Sequence, residues 1–255
     1  MDSHERGRRM QIYLGPTEPC PYLEGRTARN AFIDPEAPLS PTLYGRLLAL
    51  GLRRSGGIVY RPMCPGCSAC ESLRIPVDVF RPRRRHRRCL RAGERLATRI
   101  LPGDYRDEHY GLFRRYVDAR HPGGGMSTIG PTDYAGFAFA PWCDTELMEL
   151  RDGDRLVAVA ITDRTPDALS AVYTFFDPAY GRLGPGTLAI LHQIRRARAL
   201  GLPWLYLGYW IAEAPTNVLR ERLHPSRAFR PRRGLASPRV IVLGAAGRDS
   251  VPYRV

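Results

Sequence analysis

No lysine occurs among the 255 residues, so all 39 basic side chains other than histidine are arginine. Complete replacement of lysine reads as a coding bias of the source genome, and arginine at any single position therefore says little about its role. The excess of positive charge is not explained that way. Acidic residues number only 25, which leaves a formal net charge of +14. That is the electrostatic footprint expected for a partner carrying many phosphates.

Other scarcities narrow the class. No apolar run approaches the ~20 residues a membrane-spanning helix needs, so no membrane partner is expected. The first ten residues are polar and charged and contain no apolar core of a secretory leader, which predicts a cytoplasmic chain. Six cysteines in such a compartment are free, metal-bound or reactive rather than members of a disulfide framework. No internal repeat and no long low-complexity linker is present. At this length, with 44% hydrophobic residues, the chain can bury one large core or two smaller ones.

Against that background one stretch is dense in chemistry. Cys64-Pro-Gly-Cys67-Ser-Ala-Cys70 places three thiols at a spacing of three. It is followed by Arg81-Pro-Arg-Arg-Arg-His-Arg-Arg88, six arginines in eight residues. With Cys20 the thiols make four soft ligands, enough for zinc or an iron–sulfur cluster. A second Cys-x-x-Cys pair is missing, however, and Cys20 is a distant single residue. No metal is expected, and Cys20, Cys64, Cys67 and Cys70 remain its candidate ligands if there is one.

Periodicity and turn residues give the organisation. Thr42–Gly51 reads as a short helix, and Ile58–Tyr60 and Leu73–Val77 read as strands flanking the cysteine loop. Residues 81–100 read as basic and helical after Pro82, and Asp104–His121 as a helix ending in a glycine turn. Thr145–Arg151 and Arg155–Thr162 are strands joined across Asp152-Gly153, a hairpin signature. Ala168–Phe176 is a third strand, stopped by Asp177-Pro178. After Gly184-Pro-Gly186, an amphipathic helix spans Thr187–Leu200, and Pro203–Ile211 is a buried strand. The order is α+β and matches an acetyltransferase-like (GNAT-type) acyl-transfer core.

Several separated motifs then carry a resemblance. In the first half they are Cys20-Pro-Tyr-Leu-Glu-Gly-Arg26, Gly51-Leu-Arg-Arg-Ser-Gly56, Tyr60-Arg-Pro-Met-Cys-Pro-Gly-Cys-Ser-Ala-Cys70 and Arg74-Ile-Pro-Val77. In the second they are Arg120-His121, Tyr173-Thr-Phe-Phe-Asp-Pro178, Gly186-Thr187 and Tyr206-Leu-Gly-Tyr-Trp-Ile211. In this order and spacing the chain resembles the bacterial leucyl-tRNA–protein transferases, relatives of the eukaryotic arginyltransferases. The resemblance implies transfer of leucine from leucyl-tRNA to proteins beginning with Asp or Glu, which marks them for proteolysis. It also implies two acetyltransferase-like halves in tandem, here divided as residues 1–95 and 96–255, and no cofactor beyond the aminoacyl-tRNA donor.

The reaction makes demands on side chains. A neutral α-amine must attack an ester carbonyl while an oxyanion is stabilised. Asp177 is the candidate for holding the amine, against its ordinary reading as a turn aspartate before proline. Tyr173 and Tyr209, with Tyr206, are candidates for donating to the oxyanion or positioning the ribose. Their ordinary reading is as amphipathic core residues. Arg74, Arg120 and His121 are candidates for the acceptor's carboxylate, which arginine grips in a bidentate fork. Thr187 opens a helix whose N–H groups can face an anion. Arg81, Arg83, Arg84, Arg85, Arg87 and Arg88 are the expected tRNA phosphate contacts.

The chain also departs from the family pattern. Its usual tyrosine and lysine after Trp210-Ile211 correspond to Leu219 and Arg220, the latter a candidate substrate contact. Coenzyme-A-dependent acetyltransferases usually carry Arg or Gln three residues before the first glycine of the loop, where this chain has Gly181. Acetyl transfer from coenzyme A and a non-catalytic tRNA-binding relative are the two alternative readings.

Overall fold

The computed structural model describes residues 9–120, 123, 125–214 and 251–254. The chain is mixed α and β, built on two main sheets. The first part runs β1 (Arg9–Leu14), β2 (Glu18–Pro19), β3 (Thr27–Ala28), β4 (Asn30–Ile33), α1 (Pro41–Ala49), β5 (Arg53–Ser55), β6 (Ile58–Pro62) and β7 (Glu71–Pro76). It continues with α2 (Arg84–Ala92), β8 (Ala97–Pro102), α3 (Asp107–Arg120) and α4 (Pro131–Ala138). The remainder is β9 (Asp144–Asp152), β10 (Arg155–Arg164), β11 (Ala168–Phe176), α5 (Pro185–Ala199), β12 (Trp204–Trp210) and β13 (Val251–Arg254).

The smaller sheet has the order β13-β1-β4-β6-β5, and each pair of neighbours in it is antiparallel. α1 closes one side of it. Ser40 caps this helix by accepting the Leu43 N–H at 3.3 Å, and Pro41 starts it. Tyr44, Leu47 and Leu48 of α1 are buried with Ile12, Ala31, Ile33 and Val59.

The larger sheet has the order β7-β12-β11-β10-β9-β8. Its central strands are buried on both faces, so their sequences read as nearly continuous apolar runs. Alternation still sorts them. Val159 and Ile161 face Leu112, Phe113 and Val117 of α3, whereas Ala160 meets Ala189 of α5 and Ala158 meets Leu188. Small residues on the α5 side let that helix lie close to the sheet.

Two elements differ from the sequence expectation. The helix over 81–100 stops at Ala92, and residues 97–102 form the edge strand β8 instead. Gly93 is the C-cap, a position that favours glycine, and it sits where α2 meets α5, since a Cβ there would press on the Leu188 side chain. Short α4 and the N-terminal strands were also not expected. Among the described residues no helix is long and apolar enough to cross a membrane.

The two sheets are tied together. β7, from the first part of the chain, is the edge strand of the larger sheet and pairs antiparallel with β12. Arg54 of β5 reaches Asp163 of β10 through two 2.6 Å hydrogen bonds, with both side chains fully buried. Gly56 makes this approach possible, because any side chain there would strike the carbonyl oxygen of Gly136.

Candidate active site

The larger sheet opens at one place. β11 and β12 pair in parallel only from Ala168–Ser170 against Trp204–Tyr206. Beyond that point β11 continues against β10, and β12 continues against β7. A register shift between Tyr206 and Gly208 bends β12 as it leaves, and Gly208 takes φ +79° there, a conformation suited to glycine. The result is a splay between two adjacent strands.

The basic run lies against the helix that follows β11. Cys89 of α2 points its thiol at the carbonyl oxygens of Leu183 and Gly184, at 3.4 and 3.7 Å, immediately before α5. The approach is held from the other end by Arg198 of α5. Its guanidinium donates to Val77 O at 2.7 Å and to Phe80 O at 2.6 Å. His86 is the one buried side chain of α2 and stacks on Phe80 with ring centroids 5.6 Å apart. Burying one face of α2 leaves Arg83, Arg84, Arg87 and Arg88 exposed, with Arg81 just before them and Arg85 half-buried. None of the six is in an ion pair with a described carboxylate. The fold thus places this cationic strip beside Gly184, Pro185 and Thr187 at the α5 N-terminus, about a hundred residues away in sequence.

The other expected site residues fall into three places. Tyr173 lies on the α3 side of β11, in a cluster with Phe113, Tyr116, Phe137 and Phe175. Burial pushes its phenol well above the usual range, with Tyr116 adding to the effect. Arg120 is exposed at the end of α3 and interacts with Tyr116. Asp177 caps the turn after β11, accepting the Ala179 N–H at 3.0 Å, and pairs with Arg155 at 2.7 Å. Burial pushes its carboxyl up, but Arg155 and the Ala179 N–H outweigh this and hold it below the usual carboxylate range. His121 and Arg220 lie outside the described residues.

A second group sits between the two sheets. The Arg74 guanidinium stacks 3.8 Å above the Trp204 ring and donates to the Tyr206 hydroxyl at 3.2 Å. Tyr209 donates its hydroxyl to Gly51 O at 2.8 Å. Between Tyr206 and Tyr209 lies Arg53, 5.0 and 5.6 Å from their ring centroids. Arg74 and Tyr209 thus lie on the β7–β12 pair, either side of the Tyr206–Arg53 contact, whereas Tyr173 and Asp177 stand on the far side of the splay.

Cys20, Cys64, Cys67 and Cys70 are free and mutually close, since Cys70 feels the other three. Burial first, then those neighbours, pushes Cys70 up to about 11. Cys67 shifts the other way, held down by the Ala69 N–H and by Arg26, whose guanidinium lies 3.7 Å from its sulfur. Cys64 accepts the Arg29 N–H at 3.4 Å. Among the described residues no group of three or more His, Cys, Asp or Glu side chains is arranged to hold a metal ion.

Two family models match the chain in order: the N terminus of arginine-tRNA-protein transferase over residues 18–88, and its C terminus over 108–229. The chain belongs to the arginine-tRNA-protein transferase family. Within the family it is similar to proteins named aspartate/glutamate leucyltransferase. One from Alkalilimnicola ehrlichii is 49% identical over 87% of this chain and 93% of the relative. One from Halorhodospira halophila is 51% identical over 82% and 90%, and one from Nitrosococcus oceani is 46% identical over 87% and 94%. A solved C-terminal domain of a putative lysylphosphatidylglycerol synthetase from Agrobacterium fabrum aligns with 68% of this chain and 52% of its own, at 15% identity and a TM-score of 0.44.

For this transferase family member, sequence reasoning passed over Arg53, Arg54 and Asp163. Arg53 and Arg54 stand inside the quoted motif Gly51–Gly56, but nothing in the motif distinguishes a buried arginine from a surface one. Trp204 and Arg155 were missed for the same reason, because their roles come from partners distant in sequence.

Proposed function

We propose that this protein moves leucine from leucyl-tRNA to the α-amine of proteins that begin with Asp or Glu, creating an N-terminus read as a degradation signal. One observation carries the reading: proteins named aspartate/glutamate leucyltransferase, about half identical to this chain, align with it over nine-tenths or more of their own length. The chemistry of the surface agrees with it. The α2 arginines form an exposed strip free of carboxylates, suited to phosphates and insensitive to base sequence. The strip adjoins the N-terminus of α5, where backbone N–H groups favour an anion. Phosphates at the 3′ end of a tRNA held there would put the aminoacyl ester near the splay of β11 and β12.

The acceptor amine has a reference pKa near ~8, so a modest base or a water relay suffices to present it neutral. Its attack on the ester carbonyl forms the amide and releases the tRNA hydroxyl. Tyr209 and Arg74 stand on the β12 side of the splay and are the better placed of the expected residues for ordering substrate. Asp177 serves in this reading by fixing the turn from β11 into α5. Tyr173 supports β11 from the α3 side.

We also read the larger sheet as the acetyltransferase-type core, with the smaller sheet and α1 as a second half. We place the division near residues 95/96, in the stretch between the two family matches, which end at 88 and begin at 108, although β7 crosses it to join the larger sheet. A cytoplasmic location follows from the tRNA donor.

The test is direct. Pure protein is incubated with radiolabelled leucyl-tRNA, or separately with radiolabelled acetyl-coenzyme A, and peptides beginning with Asp, Glu or Ala. Label on the Asp and Glu peptides alone is the expected result. Transfer from acetyl-coenzyme A instead, or tRNA binding with no product, overturns it.

A further inference from the structure

Arg53 is 5% exposed and carries a charge that no described carboxylate answers. Its guanidinium donates to Leu52 O at 2.5 Å, Leu48 O at 3.3 Å and Leu73 O at 3.5 Å, and it donates to the Ser72 hydroxyl. All four acceptors are neutral. Its Nε–H has no hydrogen-bond partner among the described residues. Two tyrosine rings flank it, but the attraction of a cation to an aromatic face is modest. A desolvated charge without a counter-charge costs several times that.

The next residue shows that the fold can do otherwise. Arg54 is equally buried and receives a two-pronged carboxylate, Asp163, at 2.6 Å. The same short strand therefore compensates one guanidinium fully and leaves the other uncompensated. Nor is Arg53 sealed in. Gly51, Tyr60 and Ser72 around it are each only partly covered, so the charge lies one side chain below solvent. Above it is Tyr209, in the part of β12 that has left β11.

We infer that Arg53 is the specificity-determining cation for the acidic side chain of the acceptor, the missing counter-charge arriving with the substrate. This rests on the acyl-transfer reading above and adds to it the group that distinguishes Asp and Glu from their amides. Asp and Asn differ by one charge at nearly constant shape, so the contrast between them is largest where the surroundings exclude water. A guanidinium beneath two tyrosines supplies such surroundings. The exposed arginines of α2 do not, because solvent and salt screen them. Arg53 binds and orders the acceptor's carboxylate; it takes no part in bond making.

The experiment compares wild type with Arg53→Met, Arg53→Gln and Arg53→Lys on peptides beginning with Asp, Glu, Asn and Gln, all with leucyl-tRNA as donor. Arg53→Met should lower kcat/KM for the acidic peptides by roughly 30-fold or more, mainly through KM, and pull the Asp-to-Asn ratio toward one. Arg53→Lys should restore much of the ratio. Leucyl-tRNA affinity should stay within about twofold throughout. Should Arg53→Met not fold, Arg53→Gln keeps hydrogen-bond donors without the charge and reads the same ratio. An unchanged Asp-to-Asn ratio in the folded neutral variants overturns the inference. So does a loss of tRNA affinity, which would make a phosphate the partner. Absence of transfer by the wild type to any peptide would instead sink the acyl-transfer reading itself.

Discussion

β5 passes between two regions that handle the same side chain differently. Below β10, Arg54 enters a well where Asp163 takes two hydrogen bonds, Ala138 O a third at 2.9 Å, and Thr145 turns its hydroxyl to the same carboxylate. Under β12, Arg53 meets tyrosine rings, three carbonyls and a hydroxyl. The first region is complete and joins the two sheets. The second is complete in shape and incomplete in charge. Burial alone therefore does not separate a structural arginine from a working one, whereas the charge balance around it does.

The contrast can be broken at Arg54 first. Arg54→Met leaves Asp163 as a lone buried charge and should cost about 3–5 kcal/mol, read as a fall in the midpoint of urea unfolding. A loss below 1 kcal/mol would mean that the well is not what joins the sheets. Arg53→Met should cost less, ~1–2 kcal/mol, because the carbonyls lose donors but the uncompensated charge is also removed. If the two variants proved equally unstable, the distinction between the regions would fail.

A third prediction uses acid. The carboxyls of Asp177 and Glu149 are both held low, each against the opposing pull of burial, Glu149 by Arg151 and His109. The unfolded state therefore binds more protons, and their contribution is present above the unfolded carboxylate pKa near ~4 and is lost as pH falls below it. The melting temperature should drop on acidification from pH 6 to 3, and less steeply in Glu149→Gln. Asp177→Ala should cost ~1 kcal/mol through loss of the cap, its ion pair adding little because Arg155 is mostly exposed.

The smallest stability change belongs to α2. Replacing Arg84, Arg85, Arg87 and Arg88 with Gln should move stability by no more than about 0.5 kcal/mol per substitution. It should nonetheless flatten the salt dependence of tRNA binding by roughly three in the log–log slope. An unchanged slope would remove this strip from the tRNA site.

How far the sequence could be read depends on how local the cause is. The β9–β10 hairpin, β11, α5 and β12 were legible because Asp152-Gly153, Asp177-Pro178 and Gly184 punctuate clear apolar periods. β8 was not, since Ala97–Arg99 are exposed and a basic stretch runs into it without a turn signal. The end of α2 at Gly93 carried a local signal, but the basic run continuing to Arg99 masked it. The site divides the same way. The arginines of α2 announce themselves by density, and the tyrosines of β12 by their motif. Arg53 was hidden, because what singles it out is the absence of a carboxylate among neighbours up to 156 residues away, such as Tyr209.

Strand β7 has a consequence for how this chain can be cut. It is made of residues 71–76, yet its backbone partners are residues 204–210. A fragment beginning near residue 96 would keep α3, α4, α5 and five of the six strands of the larger sheet, but would expose the full edge of β12 with Leu205 and Leu207 losing Leu73 and Ile75 beside them. Bare, apolar edges recruit other strands. Such a fragment should aggregate rather than act as an independent catalytic unit, and adding residues 1–95 as a separate peptide is the way to rescue it.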